Sequence, residues 1–94
     1  MNYKQLLLRA VENGYPVKVF YDHPDDPDLD YSLDLPAILE AVEACEDINV
    51  WINTPYMTEW AHIITCLDLE ETVADFTCDG FIDKLWDEYN VQET

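Results

Sequence analysis

Only four cations, Lys4, Arg9, Lys18 and Lys84, face 21 Asp and Glu residues in this chain of 94, leaving a formal net charge of -17 at pH 7. Acids so poorly matched crowd a small surface and repel one another, which any compact fold has to withstand. Solubility alone is served by a net charge of roughly 2 to 8 in magnitude. The excess therefore asks for a functional reason: adaptation to high salt, binding of hard cations, or engagement of a basic macromolecule. Direct binding to nucleic acid or to an anionic membrane is disfavoured, because four scattered cations cannot neutralise a row of phosphates.

The chain is nevertheless expected to fold. A hydrophobic fraction of 49% and an aromatic fraction of 13% are too high for a disordered acidic tail. Trp51, Trp60 and Trp86, with six Tyr and three Phe, supply large areas to bury. Residues 1–94 have room for one domain and one core. Cys45, Cys66 and Cys78 show no CxxC spacing, and the Leu6-Leu7-Leu8 run is too short for a signal peptide or a membrane span. The expectation is a cytoplasmic protein, in a bacterial host if phage-encoded, whose three reduced thiols are buried as small hydrophobes.

Periodicity organises the chain. Tyr3, Leu7, Ala10 and Val11 predict a helix over 2–13, closed by Gly14. Val17–Tyr21 alternates with apolar residues on both faces and predicts an interior strand. Residues 22–34 hold six Asp and two Pro and are expected to form an acidic loop. Asp34 then stands as N-cap and Pro36 in the first turn of a helix running to about Glu46, with Leu35, Ile38, Leu39, Val42 and Cys45 as its apolar stripe. From Ile48 the period becomes two. Strands are expected over Ile48–Asn53, roughly Met57–Cys66 (Trp60, His62 and Ile64 on one face) and Thr72–Thr77, with a turn at Asp68–Glu71 and a helix starting in Glu70–Phe76 as the alternative to the last strand. Asp79 caps a last helix to about Asn90, burying Phe81, Ile82, Leu85, Trp86 and Tyr89. The order α-β-α-β-β-β-α predicts an α+β domain: a four-stranded sheet with helices packed on one face.

Catalytic and metal chemistry find little support. Asp26-Pro27-Asp28-Leu29-Asp30 has the spacing of an EF-hand loop, which keeps a calcium-binding module as an alternative. Tyr31, however, stands where that loop needs glycine, and Ala37 where it needs the bidentate glutamate. His23, His62 and the cysteines lack the spacing of a zinc site. Gly14 and Gly80 are the only glycines and Ser32 the only serine, so neither a phosphate-cradling loop nor a G-x-S-x-G element exists. No enzyme and no cofactor are expected.

The acidic faces remain. Asp22, Asp25, Asp26, Asp28, Asp30 and Asp34 line the loop, Glu40, Glu43 and Asp47 recur at helical spacing, and Asp79, Asp83 and Asp87 follow at intervals of four. Carboxylates four apart on a helix lie about 6 Å apart along its axis, against a rise of about 3.4 Å per nucleotide for phosphates on one DNA strand. The phosphates' through-space separation exceeds that rise, so the two rows can be comparable in spacing. Ordinary solvated helix faces intersperse both signs; here only Lys84–Glu88 does so. Tyr31, Tyr56 or Trp60 are the candidate anchors.

In size, charge, acidic rows and mixed α+β pattern the chain resembles the small DNA-mimicking inhibitors of phages and mobile elements, of the anti-CRISPR and anti-restriction type. That resemblance implies an inhibitor occupying the nucleic-acid-binding surface of a host defence complex, with a basic protein as partner and the chain itself a monomer. A second resemblance, through Gly80-Phe81-Ile82-Asp83-Lys84-Leu85-Trp86-Asp87, is to immunity proteins and antitoxins of the barstar kind, which implies neutralisation of a basic nuclease.

Overall fold

Asn2 opens the first helix as a two-way cap. Its Oδ1 accepts the Lys4 N–H at 2.7 Å, and its own N–H donates to Gln5 Oε1 at 3.0 Å. Helix α1 (Tyr3–Glu12) ends where Gly14 takes φ 76, a left-handed conformation that lets the Tyr15 N–H return to the Ala10 carbonyl at 2.9 Å. The computed structural model describes residues 1–66 and 72–91. After α1 come β1 (Val17–Phe20), β2 (Leu29–Ser32), α2 (Leu35–Glu43), β3 (Asp47–Asn53), β4 (Thr58–Ile64), β5 (Val73–Phe76) and α3 (Phe81–Val91). The domain is the expected α+β type, with one strand more than the sequence suggested. The turn expected at Asp68–Glu71 falls outside the described residues.

The sheet is antiparallel throughout, in the order β2-β1-β3-β4-β5. The added strand is β2, inside the segment expected to be loop. Its four residues are set among Asp and Pro and give no strand signal, and its pairing with β1 is irregular: Val17 faces Ser32 but Val19 faces Leu29. Tertiary pairing with β1 makes it a strand where local propensity does not.

Alternation then sorts the two faces. Val17, Val19, Ile48, Val50, Ile52, Ala61, Ile63 and Val73 point to one side and form a single core with Leu6, Leu7 and Ala10 of α1, Ile38 and Val42 of α2, and Ile82 and Leu85 of α3. All three helices cover that side. α1 lies between the other two, reaching Glu43 of α2 through Tyr3 and Glu88 of α3 through Arg9. None of the described helices is long and apolar enough to cross a membrane.

One core position carries a charge. Glu59, on the apolar face of β4 with Ala61 and Ile63, is 2% exposed. Its carboxylate accepts the Phe81 N–H at 2.8 Å and the Ile82 N–H at 3.0 Å, the first free donors of α3. The positive end of the helix dipole faces the same oxygens. Gly80 makes the approach possible, since a Cβ there would fall 2.6 Å from the Glu59 carboxyl carbon. Asp79, expected to cap this helix, does not: it holds φ 62, and its N–H donates to Asp83 Oδ2 at 3.0 Å. Asp34 does occupy the N-cap of α2 but makes no side-chain cap bond.

Glu59→Ala leaves two buried N–H groups without partners and should lower unfolding stability by about 2–3 kcal/mol in urea denaturation. Glu59→Gln, which keeps an acceptor but not the charge, should lose roughly half as much. Gly80→Ala should destabilise as well, by displacing the carboxylate it meets.

Candidate partner-binding surface

Apart from Glu59 and the half-buried Asp83, every described carboxylate is exposed. Three meet a lysine or arginine: Glu43 with Lys4 at 3.8 Å, Glu88 with Arg9 at 3.1 Å and Asp30 with Lys18 at 3.9 Å. Exposed pairs at such distances neutralise little of the surrounding field.

The predicted site residues fall into separate groups. Asp22, Asp25, Asp26 and Asp28 lie in the β1–β2 connection, Asp30 and Tyr31 on β2, Asp34 just before α2, and Glu40 and Glu43 on α2. This set gathers at the β2 end of the domain. Asp28 and Glu40 share an open groove of about 420 Å³ with Leu29, Ala37, Ala41, Ala44 and Cys45. Asp83 and Asp87 belong to α3, on the far side of α1, and Asp79 lies in the turn just before it. Asp47 is not on a helix, because α2 stops at Glu43 and the chain enters β3 at Asp47. There it bonds His62 Nε2 on the face of the sheet away from the helices. The three rows expected from spacing are therefore one acidic edge, one separate helix and one residue on another face.

Among the described residues no group of three or more His, Cys, Asp or Glu is placed to hold a metal ion. Asp30 accepts the Tyr31 N–H, and Tyr31 itself is in a strand, which breaks the loop geometry that the EF-hand spacing would need. The cysteines also differ from expectation: Cys45 is half-buried, while Cys66 and Cys78 sit exposed in turns beyond the ends of β4 and β5.

Sequence reasoning missed the coherence of the bare sheet face. Across it, Lys18, Trp51 and Trp60 stand opposite one another in one row, and Phe20, Asn49, His62 and Asp75 in the next. The Trp60 Nε1–H donates to Asn49 Oδ1 at 2.9 Å, and Asn49 Nδ2 donates to the Tyr21 carbonyl at 2.8 Å. Phe20 meets Trp51 edge to face at 5.2 Å, and the Trp60 and His62 rings lie 15° from parallel. Lys18 lays its ammonium over Tyr31 at 5.3 Å and Trp51 at 5.5 Å. The signal was present: in β3 and β4 the parity opposite to the aliphatic residues carries Trp51, Trp60 and His62. Tyr56, another expected anchor, is 94% exposed in the β3–β4 turn.

Both edge strands use an aspartate to close their outer side. The Asp30 carboxylate accepts the Tyr31 N–H at 2.9 Å on β2, and the Asp75 carboxylate accepts the Phe76 N–H at 2.9 Å on β5. Each occupies a donor that an added strand would need and places a charge on the edge. Compared with protein-family models, curated proteins and solved structures, the chain matches none.

Two outcomes follow from this geometry. Asp30→Val with Asp75→Val should produce concentration-dependent association in sedimentation or light scattering. Asp30→Asn with Asp75→Asn, with the same charge change but an oxygen still able to accept, should remain unassociated. At the α1–α2 contact, burial first and then the 2.5 Å bond to Glu43 push the Tyr3 hydroxyl up to about 12 from 10.0. Tyr3 ionises earlier in the unfolded chain, so its stabilising contribution is full below pH 10 and lost as pH rises towards 12. Alkaline unfolding should show that loss, and Tyr3→Phe should remove it.

Proposed function

We propose that this chain is an acidic DNA-mimic inhibitor that occupies the nucleic-acid-binding surface of a basic host defence complex, of the CRISPR-effector or restriction type. The observation that carries the reading is the acidic edge formed by the β1–β2 connection, β2 and α2, where exposed carboxylates from Asp22 to Glu43 gather with Lys18 and Lys4 as the cations paired nearby. A groove evolved to hold phosphates presents Lys and Arg to solvent, and a rigid acidic edge offers those cations a similar potential. Binding would displace nucleic acid by competition, without chemistry.

Such a complex forms by steered association, so salt should weaken it through the on-rate. The test is a mobility-shift assay in which purified CRISPR effector and restriction complexes are challenged with the chain before DNA is added. Loss of DNA binding at near-stoichiometric inhibitor is the expected result, relieved between about 50 and 200 mM salt. Asp22→Asn, Asp25→Asn, Asp26→Asn and Asp28→Asn together should slow association by roughly tenfold. Undiminished DNA binding by every complex tested would sink the reading.

A further inference from the structure

The acidic edge accounts for attraction at a distance; the helix-free face of the sheet has the features of a contact surface. We propose that this face seats arginine side chains of the target, with an extended arginine-bearing protein segment lying across Trp51 and Trp60 between Asp30 on one side and Asp47 and Asp75 on the other. The assignment rests on the reading of the chain as a binder of a basic protein and adds to it the surface and the residue type recognised.

Four observations lead there. First, the helices all pack on the opposite side, so among the described residues no helix lies over Trp51, Trp60, His62 and Tyr31. Second, the rings are already held, Trp60 by Asn49, His62 by Asp47 and Trp51 by Phe20. A partner meeting fixed rings loses little freedom in ordering them. Third, these rings already receive a cation, since the Lys18 side chain, 16% exposed, rests between Tyr31 and Trp51. Fourth, the charges around the rings are carboxylates: Asp30 beside Lys18, Asp47 bonded to His62, and Asp75 opposite His62 on β5. A guanidinium stacks on an indole face and pairs bidentately with a carboxylate at the same time, which an ammonium does less well.

Aromatic sheet faces also suit stacked bases. Here the phosphates of a single strand would run against Asp30, Asp47 and Asp75 in a chain of net charge -17, so protein is the occupant this face favours.

The experiment uses the intact, isotope-labelled chain titrated with nona-arginine peptide and followed by the amide and indole N–H signals. Trp86, packed against Phe76 on the helix side, is the internal reference. The Trp51 and Trp60 indoles and the β3–β4 amides should shift while the Trp86 indole stays. Nona-lysine should bind about fivefold more weakly. Asp47→Asn with Asp75→Asn, at two exposed positions, should weaken nona-arginine binding several-fold with β-sheet dispersion retained. Shifts confined to residues 22–28 and α2 would overturn the sheet-face assignment while leaving the inhibitor reading intact. Equal shifts with an oligouridine strand would overturn the choice of protein as occupant.

Discussion

A carboxylate buried at the junction of sheet and helix holds the arrangement together. Glu59 belongs to the apolar side of β4, where a charge without partners would cost several kcal/mol, on the order of a domain's whole margin of stability. Its two oxygens meet the two leading N–H groups of α3, so the cost of desolvation is offset by donors that also needed acceptors. The bond fixes where α3 begins. It thereby carries Ile82 and Leu85 onto the same side of the sheet as α1 and α2. With every helix on that side, no helix among the described residues covers the opposite face.

Two of the four cations are placed where acidic elements approach one another. Lys4 and Arg9 both lie on α1, the central helix, and reach Glu43 of α2 and Glu88 of α3. Arg9 is held still more firmly protonated by its hydrogen bonds to Glu88 and Tyr89. Each exposed pair contributes little alone. Together they set positive charge between two negative helices, which lowers the repulsion that would push them apart. Lys18, on the other face, pairs with Asp30 of β2 and rests over Trp51 of β3. The outward carboxylates are left without such answers, and the net field of the molecule is theirs.

The α+β class, the three helices and the β1, β3, β4 and β5 strands were legible in the sequence, the helices by their apolar period and the strands by β-branched and aromatic residues in runs that no proline interrupts. β2 was not. Leu29-Asp30-Tyr31-Ser32 is no shorter than β1 or β5 but is set among Asp and Pro, and only its partner β1 makes it a strand. Asp47 was placed on a helix because spacing alone cannot say where a helix stops; the period-two run from Ile48 was the better guide. Asp79 looked like a cap by position, yet the cap came from Glu59, more than twenty residues earlier in the chain. An acid in register with Ala61 and Ile63 was the visible hint. Acidic rows were easy to see and hard to assemble, since whether they share a surface depends on which helix lies between them.

Charge and aromatic surface act over different ranges, and the fold keeps them apart. Carboxylates on the β2 edge and on α3 can be felt by a cationic partner over about one Debye length, roughly 8–10 Å at physiological ionic strength. Such a field speeds encounter but distinguishes poorly among basic proteins. Rings fixed on a rigid sheet act only at contact, and they govern how long a complex lasts. Were the two mixed on one surface, each carboxylate would have to be desolvated before the rings could be reached. With Asp30, Asp47 and Asp75 at the margin of the ring-bearing face, a guanidinium can keep a carboxylate partner while its flat side meets an indole. Asp30 and Asp75, which each accept an outer N–H at a sheet edge, thus also frame the ring-bearing face.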